Sequence, residues 1–174
     1  MLRSLPLLLT LTLALFPLPA FAQGKANLLE NADFSQETKS WKLDLLENAQ
    51  ATLSIEDAGG GKLAAVVDVP EATAEAYYIN LYQNGLNLES GKRYLLKFRA
   101  KASQDITTSV NTLINEAPWQ QIWKQDLPLT TDWQEFTMDV IPSESTDLGR
   151  FTFGRLGKQA GKYWFADVSL TSVD

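Results

Sequence analysis

The chain has 174 residues, with 21 acidic side chains against 15 basic ones and a formal net charge of −6. It contains no cysteine and no histidine, which excludes disulfides, thiol and imidazole catalysis, Ser-His-Asp triads and histidine-dependent copper or zinc centres. The acid excess disfavours nucleic acid and anionic lipid as partners, and leaves carboxylate chemistry and oxygen-ligated calcium open.

Met1-Leu2-Arg3 is a short basic start. Leu5 to Phe16 is an apolar run broken by Pro6, Thr10 and Thr12; Pro17 and Pro19 end it, and Ala20-Phe21-Ala22 has the A-x-A cleavage pattern. Residues 1–22 therefore read as a secretory signal peptide cut after Ala22, and residues 23–174 as one exported domain, periplasmic or extracellular. The run is too short to span a bilayer comfortably and no second one follows, so membrane insertion is not expected.

Downstream, strands are predicted over 50–55, 62–69, 76–83, 93–102, 107–115, 121–127, 134–140, 149–154 and 162–171. They are separated by turn signals such as Ala58-Gly59-Gly60-Gly61, Asn84-Gly85, Ser90-Gly91, Glu116-Ala117-Pro118 and Pro142-Ser143-Glu144. Tyr94, Leu96, Phe98 and Ala100 alternate with Lys97 and Arg99, and Phe136, Met138 and Val140 alternate with Thr137 and Asp139. A period of two gives each strand one apolar and one polar face. Short strands at fairly regular spacing predict an all-β sandwich of two antiparallel sheets. No long amphipathic helix, internal repeat or low-complexity segment is evident after the leader.

Two stretches mix large rings with amide side chains, NEAPWQQIW at 115–123 and AYYINLYQNG at 76–85. That mixture suits a sugar. The C–H face of a pyranose stacks on an electron-rich ring, and an amide both donates to and accepts from hydroxyls, where a carboxylate only accepts. With Val110, Thr112 and Ile114 assigned to the core, Asn111 and Asn115 share the other face. With Ile79 and Leu81 assigned to the core, Tyr78, Asn80 and Tyr82 share theirs, and Tyr77 stands at the strand start. Trp123 follows Ile122 and fits either core or cleft. Trp41, Trp133 and Trp164 read as core or edge packing.

Four stretches, in order, resemble the carbohydrate-binding modules of families 4, 9 and 22. They are NLLENADF at 27–34 followed by Trp41; YINLYQNGLNLESGKRYLLKFRAKAS at 78–103; the Ala117-Pro118-Trp119 turn with the strand TDWQEF at 131–136; and YWFADVSL at 163–170. The resemblance implies a β-jelly roll, galactose-binding-like in outline, whose cleft takes polysaccharide of the β-glucan or xylan type without catalysis. It assigns binding roles to Tyr77, Asn80, Asn115, Trp119 and Arg155, with Arg150 the second choice for the arginine position. Tyr82, Asn111 and Trp123 complete the expected carbohydrate-binding set. The resemblance also implies a structural Ca²⁺ shared between the N-terminal segment and Asp167, with Glu30, Glu37 or main-chain carbonyls as further ligands, because Ser35 stands where the family often has an acid.

Such modules usually ride on an enzyme, so separate secreted glycoside hydrolases are expected working partners. Two other readings compete. One is a protein-binding adhesion module on the same fold. The other is a glycoside hydrolase, which needs two opposed carboxylates, whereas the cleft strands carry amides.

Overall fold

The computed structural model describes residues 25–173, so the leader lies outside the described residues. The described residues form ten strands: β1 Lys42–Leu45, β2 Thr52–Gly59, β3 Lys62–Val69, β4 Ile79–Leu88, β5 Tyr94–Ala102, β6 Ile106–Ile114, β7 Gln121–Leu129, β8 Gln134–Val140, β9 Thr146–Gly154 and β10 Gly161–Ser172. They make two five-stranded sheets, ordered β1-β4-β9-β6-β7 and β2-β3-β10-β5-β8, and every pairing is antiparallel.

The predicted alternation drives the packing. Tyr94, Leu96, Phe98, Ala100 and Ala102 of β5 all point inward and are buried. The inner faces meet in an aromatic stack. Phe153 of β9 lies flat on Phe165 of β10, centroids 4.0 Å apart, with Phe98 at 5.1 Å and Phe151 at 4.9 Å, both edge-on. Burying one such side chain contributes about 1.5–3 kcal/mol, and each well-oriented ring pair about 1 kcal/mol more. Trp41 closes one side, 5.3 Å from Phe34 and 6.2 Å from Phe153, and its indole N–H donates to the Asn31 carbonyl at 3.1 Å.

Three local expectations change. Residues 76–78 form a single 3₁₀ turn instead of strand, because Tyr78 N–H closes back onto the Glu75 carbonyl at 3.0 Å. Asn84-Gly85 is no hairpin turn: β4 runs through it, with register shifts against β9 where Gly85 takes a φ of 85°. Glycine reaches that conformation at little cost and lets a strand bulge without ending. The four-residue β1 was not predicted; its two-residue apolar alternation is too short to stand out, and pairing with β4 creates it.

Trp133 and Trp164 lie on the outer face of the second sheet, covering Ala58, Ala64 and Ala166. Lys101 stands 4.7 Å from the Trp164 ring centre and 5.3 Å from that of Trp133. Trp164 also donates to Glu56 at 2.9 Å, which holds that carboxyl below its ordinary pKa. Among the described residues no helix is long and apolar enough to cross a membrane.

Candidate functional site

A cleft of about 690 Å³ lies on the first sheet, on the face turned away from the aromatic core. Its floor comes from residues alternating with the core phase. β9 gives Arg150, Thr152 and Gly154, interleaved with the buried Phe151 and Phe153; β6 gives Ser109, Asn111 and Leu113; β4 gives Asn80; β7 gives Gln121 and Lys124; β1 gives Asp44. Tyr77 rises from the turn before β4 and Trp119 from the β6–β7 connection, so the rings stand on opposite sides of β9.

The two rings are 53% and 54% exposed, so much of each ring lies open beside the cleft. Tyr77 meets Tyr78 edge-on at 5.1 Å. Trp119 follows a cis Ala117–Pro118 peptide and has φ 61°, a left-handed backbone that a bulky residue adopts at a cost of about 1 kcal/mol or more. Its N–H donates to the Glu116 carbonyl at 2.7 Å. Along β9, the Tyr77 end lies by Gly154 and the Trp119 end by Arg150, which pairs with Leu113. Arg150 and Gly154 are four steps apart along the strand, about 13 Å, more than one sugar ring.

The floor is organised by polar side chains. The Asn80 amide donates to the Tyr77 carbonyl at 2.7 Å and its oxygen accepts from Arg155 N–H at 3.2 Å, so Asn80 ties the turn before β4 to the end of β9. Arg150, 7% exposed, pairs with Asp44, donates to Thr152 at 3.2 Å and lies 3.6 Å from the Tyr82 ring centre. Asn111 is 4% exposed, and its side-chain oxygen has no partner. Gly154 leaves the space between these groups. A Cβ there would sit 3.0 Å from Asn111 Nδ2, 3.1 Å from Ser109 Oγ and 3.2 Å from Asn80 Oδ1.

The expected set is thus partly assembled. Tyr77, Asn80, Asn111, Trp119 and Arg155 line the cleft together, and so does the alternative, Arg150. Three residues fall outside the lining. Tyr82 shares the face but supports Arg150 from the side. Asn115 lies past the end of β6, where its N–H donates to the Leu148 carbonyl at 2.8 Å. Trp123 packs on the core. A register shift between Thr112 and Leu113 pairs Trp123 with core-facing Thr112 and sends Gln121 and Lys124 to the cleft. Gln83, also on the core phase, is tied to the Glu30 backbone by two hydrogen bonds, at 2.7 and 3.0 Å.

Sequence reading missed Asp44, Ser109, Gln121, Lys124, Thr152 and Gly154. Ser109 shared the predicted phase with Asn111 and was legible in that way; the others needed β1, the β7 bulge and the β9 register.

The Asp167 arrangement does not fit a calcium ligand. Its carboxylate accepts from Arg99 at 2.7 Å and from Lys62 at 2.9 Å. On the N-terminal side, the carbonyls of Glu37 and Lys39 accept from the Asn31 amide at 2.9 and 2.8 Å. In this structure both halves of the implied ion site thus meet donors of the chain itself. Among the described residues no three His, Cys, Asp or Glu side chains converge on one point.

The profile of the family described as "Carbohydrate binding domain" (CBM_4_9) matches residues 26–154. The chain belongs to that family. Solved structures agree at the level of fold. A structure described as "CBM4 structure and function" superposes with a TM-score of 0.70 at 23% identity, covering 83% of this chain and 99% of the other. The N-terminal cellulose-binding domain of Cellulomonas fimi β-1,4-glucanase C gives 0.58 at 23% identity, covering 78% of this chain and 90% of that one. The second N-terminal cellulose-binding domain of the same enzyme gives 0.64 at 22%, covering 89% and 99%. No curated protein sequence matches the chain. This carbohydrate-binding domain carries, on its first sheet, exposed rings on two sides of a floor of hydrogen-bonding groups.

Proposed function

We propose that the protein is an exported, non-catalytic binder of single polysaccharide chains of the β-glucan or xylan type. The observation that carries this reading is the pair of exposed rings, Tyr77 and Trp119, on either side of a polar floor. The rings stack on the C–H faces of successive sugars, and Ser109, Asn111 and Gln121 exchange hydrogen bonds with hydroxyls. A cleft with rings on two sides suits a single chain; a crystalline surface calls for rings in one plane. The lining carboxylates are Asp44 and Glu75. Asp44 is committed to Arg150, which supports binding over the two-carboxylate chemistry of glycoside hydrolysis. The signal-peptide pattern of residues 1–22 supports export, and separately secreted hydrolases would share the polysaccharide.

The test is affinity electrophoresis of the exported form through gels holding barley β-glucan, xylan, xyloglucan, mannan or laminarin, with Trp119→Ala alongside. Retardation in one gel, lost in the variant, is expected. Retardation unaltered in Trp119→Ala moves the site elsewhere. Free migration in every gel, with capture of a protein partner, favours the adhesion reading.

A further inference from the structure

Resting on the reading of the cleft as a glycan site, we propose that its ligand carries carboxylates: an acidic polysaccharide with uronic acid units along or beside the bound chain.

The chain is acidic, at −6 overall, yet the cleft lining is not. It holds Lys124, Arg150 and Arg155 against Asp44 and Glu75. Arg150 and Asp44 neutralise one another. Glu75 stands on the rim, where its carbonyl receives the Tyr78 N–H; its charge, with that of Glu47, helps raise the Tyr78 pKa, after desolvation and Tyr77. Lys124 and Arg155 remain, against the single carboxylate of Glu75 at the rim. Among the described residues neither side chain has an anionic partner. Elsewhere on the surface Lys62, Arg93, Arg99 and Lys162 are ion-paired, so the cleft is set apart by holding two unpaired cations together rather than by a lone one.

Their placement gives these two charges a common target. Lys124 pairs in register with Asn111 across β6–β7. Arg155 directly follows Gly154, which pairs with Ser109 across β6–β9. The cations therefore flank Ser109 and Asn111 from the two neighbouring strands. Arg155 is backbone-fixed, with φ 62° and its N–H on Asn80. Between them lies Asn111, with its unpartnered buried oxygen. A sugar seated over Gly154 would give Asn111 a hydroxyl donor and place a carboxylate within reach of a guanidinium fork and an ammonium. Arginine in particular recognises a carboxylate with two parallel hydrogen bonds. A purely neutral ligand would leave both cations unused and partly desolvated, which opposes binding.

The test uses the exported protein and calorimetry on glucuronoxylan, polygalacturonate and alginate, each beside its carboxyl-reduced, neutral counterpart. Barley β-glucan and laminarin serve as neutral references. Lys124→Gln and Arg155→Asn are compared singly and together; asparagine tolerates the left-handed backbone at 155. At least one acidic polymer should bind about ten-fold more tightly than its reduced form at low salt. The gap should narrow at high ionic strength and close in the double variant. Equal affinity for an acidic polymer and its reduced form, or a preference intact in the double variant, overturns the proposal and leaves the glycan reading standing. Binding to the neutral references alone does the same. No heat with any polymer, acidic or neutral, removes the glycan reading together with the proposal.

Discussion

Asp167 offers the sharpest test of how the sandwich is held. It sits at the β10 bulge with φ 52°, a backbone that asparagine tolerates well, so Asp167→Asn removes charge with little change in shape or strain. Two contacts are affected. Arg99 and Asp167 are 22% and 31% exposed and 2.7 Å apart, and a partly buried charge-assisted hydrogen bond contributes about 1.5–3 kcal/mol. Lys62 is 56% exposed, so its share is below about 0.5 kcal/mol. The amide oxygen still accepts a hydrogen bond from the guanidinium, weaker without the carboxylate charge, which recovers about 1 kcal/mol. The expected net loss is about 1–2 kcal/mol, or roughly 2–8 °C in Tm for a domain of this size. The assay is thermal unfolding of both proteins in EDTA and in calcium, at low and high salt. The Asp167→Asn deficit should appear equally with and without calcium and shrink only slightly in salt. A wild-type Tm raised by calcium and lowered by EDTA, with the response lost in Asp167→Asn, would make Asp167 a metal ligand after all and refute the ion-pair account.

Trp119→Ala and Trp123→Ala should separate binding from stability. The first removes an exposed ring and should abolish retardation in the affinity gel while leaving the urea midpoint nearly unchanged; the second cuts into the core and should cost about 3 kcal/mol in urea unfolding. Gly154→Ala puts a methyl among Asn111, Ser109 and Asn80 at 3.0–3.2 Å. If it displaces one or two hydrogen-bonding groups, polysaccharide affinity by calorimetry should fall about five- to thirty-fold with the circular dichroism spectrum retained. Burial pushes the Tyr163 hydroxyl up to about 12, above an ordinary value near 10. The folded state favours the neutral phenol, so this stabilisation is complete below about pH 10 and is lost as pH rises towards 12. Urea midpoints measured across that window should fall less steeply in Tyr163→Phe.

The parts of the fold carried by short-range rules were legible. Alternation in 93–102 and 134–140 named the inward residues because a pleated strand fixes side-chain direction with a period of two. The same rule, applied to 107–115, placed Asn111 on the cleft face. It failed where the chain departs from that period. The β7 bulge reassigns Trp123 to the core and brings Lys124 to the floor, and nothing in QIWK announces an extra residue. It also failed at strand ends: Asn115 has the right phase, but β6 has already stopped at Ile114.

Composition and order determined the chemistry available to this protein. Without histidine or cysteine, and with rings set among amides, the chain was confined to stacking, hydrogen bonding and carboxylate chemistry before any fold was known. The tertiary structure alone decided which groups are free to use that chemistry. Asp44 and Arg150 are 106 positions apart and meet only when β1 and β9 both flank β4; their pairing removes an acid and a base from the cleft. Asp167, Arg99 and Lys62 meet because β10 lies between β3 and β5, which turns an expected ion ligand into a salt-bridge partner. Such pairings depend on distances between strands far apart in the chain, and those distances are set by sheet order and register, which residue type and spacing do not encode.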